Sequence, residues 1–399
     1  MYVTLSIFAV FALLYSVMAG GIERTWISGA VIFTMFGLVV GPAGLGWLSL
    51  SANPEMVRFL AEITLSVILF SDAAGADLRV LRRNPQLPIR LLLIGLPLTI
   101  LLGYGIGELM FGQFSLFEIV LLATILAPTD AALGKPVISN PSIPKKFREG
   151  LNVESGLNDG ICMPILFVFL LLVLGKGGDQ CISTLVVAYI FKGIGIGLAT
   201  GLLLTGVAVV LMHFSKKHGF LSRIWMQIPV VALAISCLCV AQLLGGSGFI
   251  AAFVGGILFG ASNREHRKIL LQSAEGTGSI FALITWVVFG ALVVGPALHN
   301  LTWPIVLYSL LSLTVIRMLP VFILLSGMGI SVEGKLFIGW FGPRGLASIV
   351  FAIIVMQAKL PNGDVLVHVV ACTVILSILL HGLSAVPWVE SFGRRSSAS

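Results

Sequence analysis

Charge is what this sequence has least of. Lys, Arg, Asp and Glu together make up 10 % of 399 residues against 58 % apolar ones, and the mean hydropathy is +1.07. A soluble domain carries roughly a quarter charged residues, so a soluble fold is excluded. Paired cysteines are also missing. The five present, at 162, 181, 237, 239 and 372, show no ligand spacing, and Cys237 and Cys239 face apart on a helix. Small buried hydrophobes are their expected role, and neither a metal centre nor a cofactor is indicated. A basic leader is absent too: MYVTLSIFAVFALLYSVMAGG has no positive charge before its apolar run, and Arg24 follows it. The segment therefore reads as an uncleaved first span. No stretch is left over for a folded basic surface, so the net charge of +7 does not point to nucleic acid.

What is present is a succession of apolar runs, each of a length that crosses lipid. They lie near 2–19, 27–49, 57–76, 88–111, 116–139, 150–174, 183–213, 223–244, 246–261, 279–298, 302–327, 335–358 and 365–388, about thirteen in all, with 246–261 the shortest. The expected fold class is an all-α polytopic membrane protein. Most Lys and Arg fall on one set of alternate loops and the C-terminus, while Arg58, Lys176 and Lys359 lie on the other set. The positive-inside rule then puts the N-terminus outside and the C-terminus in the cytoplasm.

Charges left at membrane depth are the functional candidates, because each costs about 2.5–3.5 kcal/mol there unless it faces a cavity or a partner. The bases are Lys135, Lys192, Arg317 and Arg344, and the acids are Glu62, Asp72, Glu118, Asp130, Glu154 and Asp159. Glu62, Glu118 and Lys192 are near enough to their span ends to reach the headgroups. Lys135 either snorkels or lines a vestibule.

Asp130 lies in TILAPTDAALGKP. Pro128 removes a backbone donor there, so the helix is expected to break and to offer Thr129 oxygens beside the Asp130 carboxylate. Hard monovalent cations take such oxygens at the discontinuous helices of transporters. A proline kink ending in a solvated Asp is the plainer alternative, but about 13 apolar residues precede Asp130 and put it near mid-depth.

In VESGLNDGICMPI, Ser155 and Asp159 share one helical face and Glu154 and Asn158 the neighbouring one. Asp159 with Ser155 is placed to join Asp130 and Thr129 in an oxygen cage. Glu154 needs a partner on another helix, and Arg317 in LTVIRMLPVF is the natural one, in a structural role. In GWFGPRGLASIV, Gly342, Pro343 and Gly345 interrupt a span around Arg344. Six spans on each side of a seventh make TDAALG and GPRG the fifth span of their respective halves. Matched interruptions point to inverted repeats whose breaks cross at a binding site. The expected division is a first repeat over 1–174, a linking span over 183–213 and a second repeat over 223–388.

Two other functions compete for the same residues. An intramembrane aspartyl protease would use Asp130 and Asp159 as acid and base, but does not call for Arg344 in a matched break. A passive channel needs a filter repeated fourfold or pseudo-fourfold, which two inverted halves do not supply.

APTD at 127–130, ESGLNDG at 154–160, IRMLPV at 316–321 and FGPRGLAS at 341–348 resemble, in order and spacing, the cation:proton antiporters of the sodium/proton exchanger (NhaP-type) branch. The resemblance implies a homodimer of thirteen-span inverted-repeat protomers in the cytoplasmic membrane, each with a core moving against a dimerisation domain. It implies a secondary transporter rather than an enzyme. It also implies cation and proton binding at Asp130 and Asp159 with Thr129, Ser155 and Asn158, and a Glu154–Arg317 ion pair. The Asn158–Asp159 pair resembles the electroneutral members, which implies one proton per Na+ or Li+, with K+ as the alternative cation. The acid that members often carry near the end of the third span falls on Asp72 in ILFSDAAGADL. Where many members follow the TD motif with Pro, this chain has Ala131 and then Lys135. The C-terminus stops a few residues past the last span, so no cytoplasmic regulatory domain is expected.

Overall fold

The computed structural model describes residues 2–396 apart from 23, 24, 26, 49–53, 132, 135, 136, 138, 139, 176–181, 221, 223, 224, 226, 227 and 264–266. Among the described residues every regular element is a helix, as intra-segment hydrogen bonding in lipid requires. Helices stand at each of the thirteen predicted spans. The first six are α1 (Tyr2–Ile22), α2 (Gly29–Val40), α3 (Pro54–Gly75), α4 (Gln86–Met110), α5 (Leu116–Ile125) and α6 (Lys145–Val173). Then come α7 (Ile182–Lys217), α8 (Pro229–Leu243), α9 (Gly248–Ser262), α10 (Arg267–Phe289, continued to His299) and α11 (Trp303–Leu324). The last two are α12, in the halves α12a (Val332–Trp340) and α12b (Leu346–Ala358), and α13 (Gly363–Ser396). The chain is a multi-pass membrane protein: 7 of these helices are long and apolar enough to cross a membrane unaided. Helix α3 matches them in length but carries Glu55, Arg58, Glu62 and Asp72.

Local chemistry explains the irregularities. Helix α5 ends at Ile125, three residues before Pro128, and α12 is interrupted from Phe341 to Gly345 around Pro343. Both α4 and α10 pass through a π turn, Leu91–Gly95 and Gly290–Val294, ahead of Pro97 and Pro296. Neither proline can donate into the α ladder, and the wider turn absorbs the clash with the residue four positions before it. A break in α11 at Thr314, whose φ of −106° and ψ of −90° leave the helical region, had no sequence signal.

The helices fall into two packed groups. One is α4, α5 and α6 with α11, α12 and α13; the other is α2, α3 and α7 to α10, with α1 resting on α10. They meet where α3 lies against α12b, where α6 lies against α7 and α9, and where α13 lies against the Gly290–His299 end of α10. Helix α9, the shortest run in the sequence, is heavily buried: a Cβ on Gly256 or Gly260 would lie 2.3 or 2.1 Å from the Phe70 or Ala74 carbonyl of α3. Small residues four apart let the two backbones touch.

Two expectations are corrected. Glu62 and Glu118 do not reach out to headgroups but are 4 % and 3 % exposed. Glu62 accepts from Arg58 Nε at 2.7 Å and Gln242 Nε2 at 3.2 Å. Glu118 forms a capping box with Ser115 and accepts from the Asn362 side chain at 3.1 Å, tying α5 to the start of α13. Lys192 is exposed, and Lys135 lies outside the described residues.

Candidate functional site

The two breaks meet, and each terminates the other's helices. The Asp130 backbone N–H donates to the Pro343 carbonyl at 2.7 Å. Asp130 Oδ2 accepts the Leu346 N–H, the first of α12b, at 2.8 Å, and Oδ1 accepts the Leu133 N–H at 3.3 Å. A carboxylate at a helix N-terminus satisfies an orphan donor and faces the positive end of the macrodipole. In the reverse sense, Arg344 Nη1 donates to the Ala127 and Pro128 carbonyls just past α5, each at 3.1 Å. Ser348 Oγ donates to Ile125 O at 2.9 Å, closing that C-terminus. Arg344 is completely buried.

Helix α6 runs beside the crossing and brings four polar side chains to it. Ser155 Oγ donates to the Thr129 carbonyl at 2.5 Å, and Asn158 Nδ2 donates to Thr129 Oγ1 at 2.9 Å. Glu154 takes a bidentate pair from Arg317 of α11, Nη1 to Oε1 at 2.5 Å and Nη2 to Oε2 at 2.9 Å. Asp159 Oδ1 and Asn158 Oδ1 are buried acceptors that no described donor meets. The structure thus gathers Thr129, Asp130, Glu154, Ser155, Asn158, Arg317 and Arg344 around the crossing through the contacts above, while Asp159 is buried on the same helix with Oδ1 open. Asn158 acts on Thr129 by a direct hydrogen bond. The Leu346 amide is the member that sequence reasoning missed; a helix start just after GPRG was its only signal.

A narrow cleft touches Thr129, Asp130, Val137, Leu151, Ser155 and Phe341. Leu151 lies between Ser155 and Lys145 on α6, so the cleft is on the Lys145 side of the crossing. Asp72, half-buried near the end of α3, does not line it. Its carbonyl accepts from Asn152 Nδ2 at 3.4 Å, nearer the Lys145 end of α6 than Ser155 is.

The family model for "Sodium/hydrogen exchanger, transmembrane" matches residues 7–391. The chain belongs to the sodium/hydrogen exchanger family. It is 26 % identical to the K(+)/H(+) antiporter NhaP of Alkalimonas amylolytica over 359 residues, covering 90 % of this chain and 61 % of that protein. It is 24 % identical to the K(+)/H(+) antiporter NhaP2 of Shewanella sp. strain MR-4 over 363 residues, covering 91 % of this chain and 62 % of that one. The chain therefore spans about three fifths of the length of these curated relatives. In fold it is similar to the sodium proton antiporter MjNhaP1 of Methanocaldococcus jannaschii, with a TM-score of 0.80 at 20 % identity, covering 95 % of this chain and 98 % of that one. Two interrupted spans that meet at Asp130 are how this member of the family arranges its polar core.

Proposed function

We propose that the chain is a secondary antiporter that exchanges a monovalent cation, Na+ or Li+, for H+ one for one. The observation that carries the reading is a pair of buried acceptors on successive residues of α6, Asp159 Oδ1 and Asn158 Oδ1, without a described donor, with the Asn158 amide bonded to the Thr129 hydroxyl. Buried oxygen acceptors left open are matched by a cation or by a proton, and both chemistries suit a hard monovalent ion. Asp130 and Asp159, with Thr129, Ser155 and Asn158, hold the cation, and protonation of the acids releases it. Only loaded forms then pass between the two faces, as the core group around α5, α6, α12 and α13 moves against the group around α3 and α9. Glu154 and Arg317 neutralise each other and keep α6 and α11 together, while Arg344 fixes the crossing. Asp72 remains a candidate at the Lys145 end of the pathway.

The repeats are residues 1–174 and 223–388, linked by 183–213. The protein sits in the cytoplasmic membrane with its N-terminus outside, on the basic-loop asymmetry, and pairs as a homodimer. None of the residues of α1 is buried, which supports a surface covered by lipid or a second copy.

A K+/H+ exchanger is the second reading, favoured by the names of the two bacterial relatives. Proton flux in proteoliposomes decides between them: a pH-sensitive dye reports the gradient while Na+, Li+ and K+ are added in turn. Collapse by Na+ or Li+ supports the first reading, collapse by K+ alone the second, and no response to any of the three rejects exchange.

A further inference from the structure

Helix α13 carries polar side chains that the site described above does not use. Ser377, His381 and Ser384 recur at helical spacing on one face, and all three reach the break in α12. The Arg344 backbone N–H donates to Ser377 Oγ at 2.7 Å. His381 Nε2 lies 2.9 Å from the carbonyl of Trp340, the last residue of α12a. His381 Nδ1 lies 3.3 Å from Ser377 Oγ and 2.9 Å from Ser377 O. Trp340 Nε1 donates to Ser384 Oγ at 2.8 Å, and the Trp340 ring lies 4.9 Å from the imidazole. Ser377 is wholly buried and His381 is 4 % exposed.

The ring nitrogens of His381 face two carbonyls, Trp340 O at Nε2 and Ser377 O at Nδ1, each at 2.9 Å. A second proton on the ring would add a buried positive charge in the region of Arg344, which lipid penalises, so a neutral ring donates to one of the two. The Trp340 carbonyl is the one that lies across from α13 on α12. With the Ser377 hydroxyl on the Arg344 amide, α13 touches the interruption on both sides of Phe341–Pro343.

We propose that Ser377 and His381 are positioning residues for the exchange site, fixing the α12 break and through it the Asp130 carboxylate. The link is direct: Asp130 is held by Pro343 O and by the Leu346 N–H, which flank Arg344 and the far end of the break. The Phe341 N–H still bonds back to Phe337 O and the Gly345 carbonyl begins α12b, but the Arg344 N–H between them is met by Ser377 Oγ of α13. The inference rests on the exchange reading for its functional half and on the geometry alone for its structural half.

The test uses the full chain in proteoliposomes, with Ser377→Ala, His381→Phe and His381→Gln beside the wild type. The half-saturating concentration and maximal rate are measured for whichever of Na+, Li+ and K+ the wild type uses. Amide hydrogen exchange is followed over residues 341–346. Losing either contact with α12 is expected to raise half-saturation about fivefold or more in Ser377→Ala and His381→Phe, while His381→Gln, whose amide supplies an N–H in place of Nε2, stays within about twofold. A purely structural histidine would lower the amount of active protein and hence the maximal rate, leaving half-saturation alone. The proposal is overturned if half-saturation stays at the wild-type value in Ser377→Ala, or if His381→Gln is as impaired as His381→Phe. Should His381→Phe not fold, Ser377→Ala and His381→Gln still decide it. If the wild type moves no protons with any cation, the exchange reading fails by itself. The tie is then judged by hydrogen exchange, which must quicken in Ser377→Ala.

Discussion

Asp130 Oδ2 accepts the backbone N–H of Leu346 at 2.8 Å, so the acid of one interrupted span caps the half-helix of the other. The two residues are 216 positions apart. Asp130 thus has a helix end to hold besides the ion that the proposed exchange assigns to it, whereas Asp159 leaves Oδ1 open. This division of labour organises what substitutions are expected to do.

Asp159→Asn is expected to abolish exchange without unfolding the protein. The amide keeps the shape of the carboxylate and removes a buried charge that costs several kcal/mol to desolvate. The dye assay should show no cation-driven proton flux, and thermal unfolding in detergent should be unchanged or shifted upward. Flux that survives would sink the competition mechanism.

Gly345→Ala is expected to damage the site through sterics alone, since a Cβ there would fall 2.0 Å from Asp130 Oδ2. Moving that oxygen forfeits a charge-assisted bond of about 1.5–3 kcal/mol, enough to raise half-saturation about tenfold or more. Gly75→Ala, which has open space, should leave exchange near the wild-type value in the same assay.

The Glu154–Arg317 pair is expected to behave as a unit. Arg317→Leu strands a buried carboxylate and should destabilise by about 3–5 kcal/mol, whereas Glu154→Leu with Arg317→Leu should recover much of that loss. Thermal or denaturant unfolding of the two single variants and the double gives the coupling. Simple additivity would contradict the pairing.

Competition also fixes the pH behaviour. Raising the proton concentration should raise the half-saturating cation concentration in proportion, while saturating cation restores the maximal rate, because in the proposed mechanism one site serves both ions. With one proton exchanged per cation, clamping the membrane potential at different values should leave the rate unchanged. A potential-dependent rate would mean unequal charge movement.

What the sequence by itself determined was local. Apolar run length set the membrane class and the thirteen helix positions, because lipid leaves a backbone no other way to bond. Pro128 and Gly342–Pro343 located the two breaks, because a missing donor interrupts a helix wherever it occurs. The 3.6-residue period put Ser155 with Asp159 and Glu154 with Asn158. Only the tertiary structure decided where the freed groups find partners. Glu118 looked like a headgroup anchor until Asn362, 244 positions on, came against it. Arg344 could not be assigned to the Ala127 and Pro128 carbonyls from its own segment, and nothing around HGLS marked His381 as a neighbour of Trp340. Each of these contacts joins helices distant in sequence, and a buried polar group takes whatever partner the packing brings to it, which composition and periodicity along one helix do not encode.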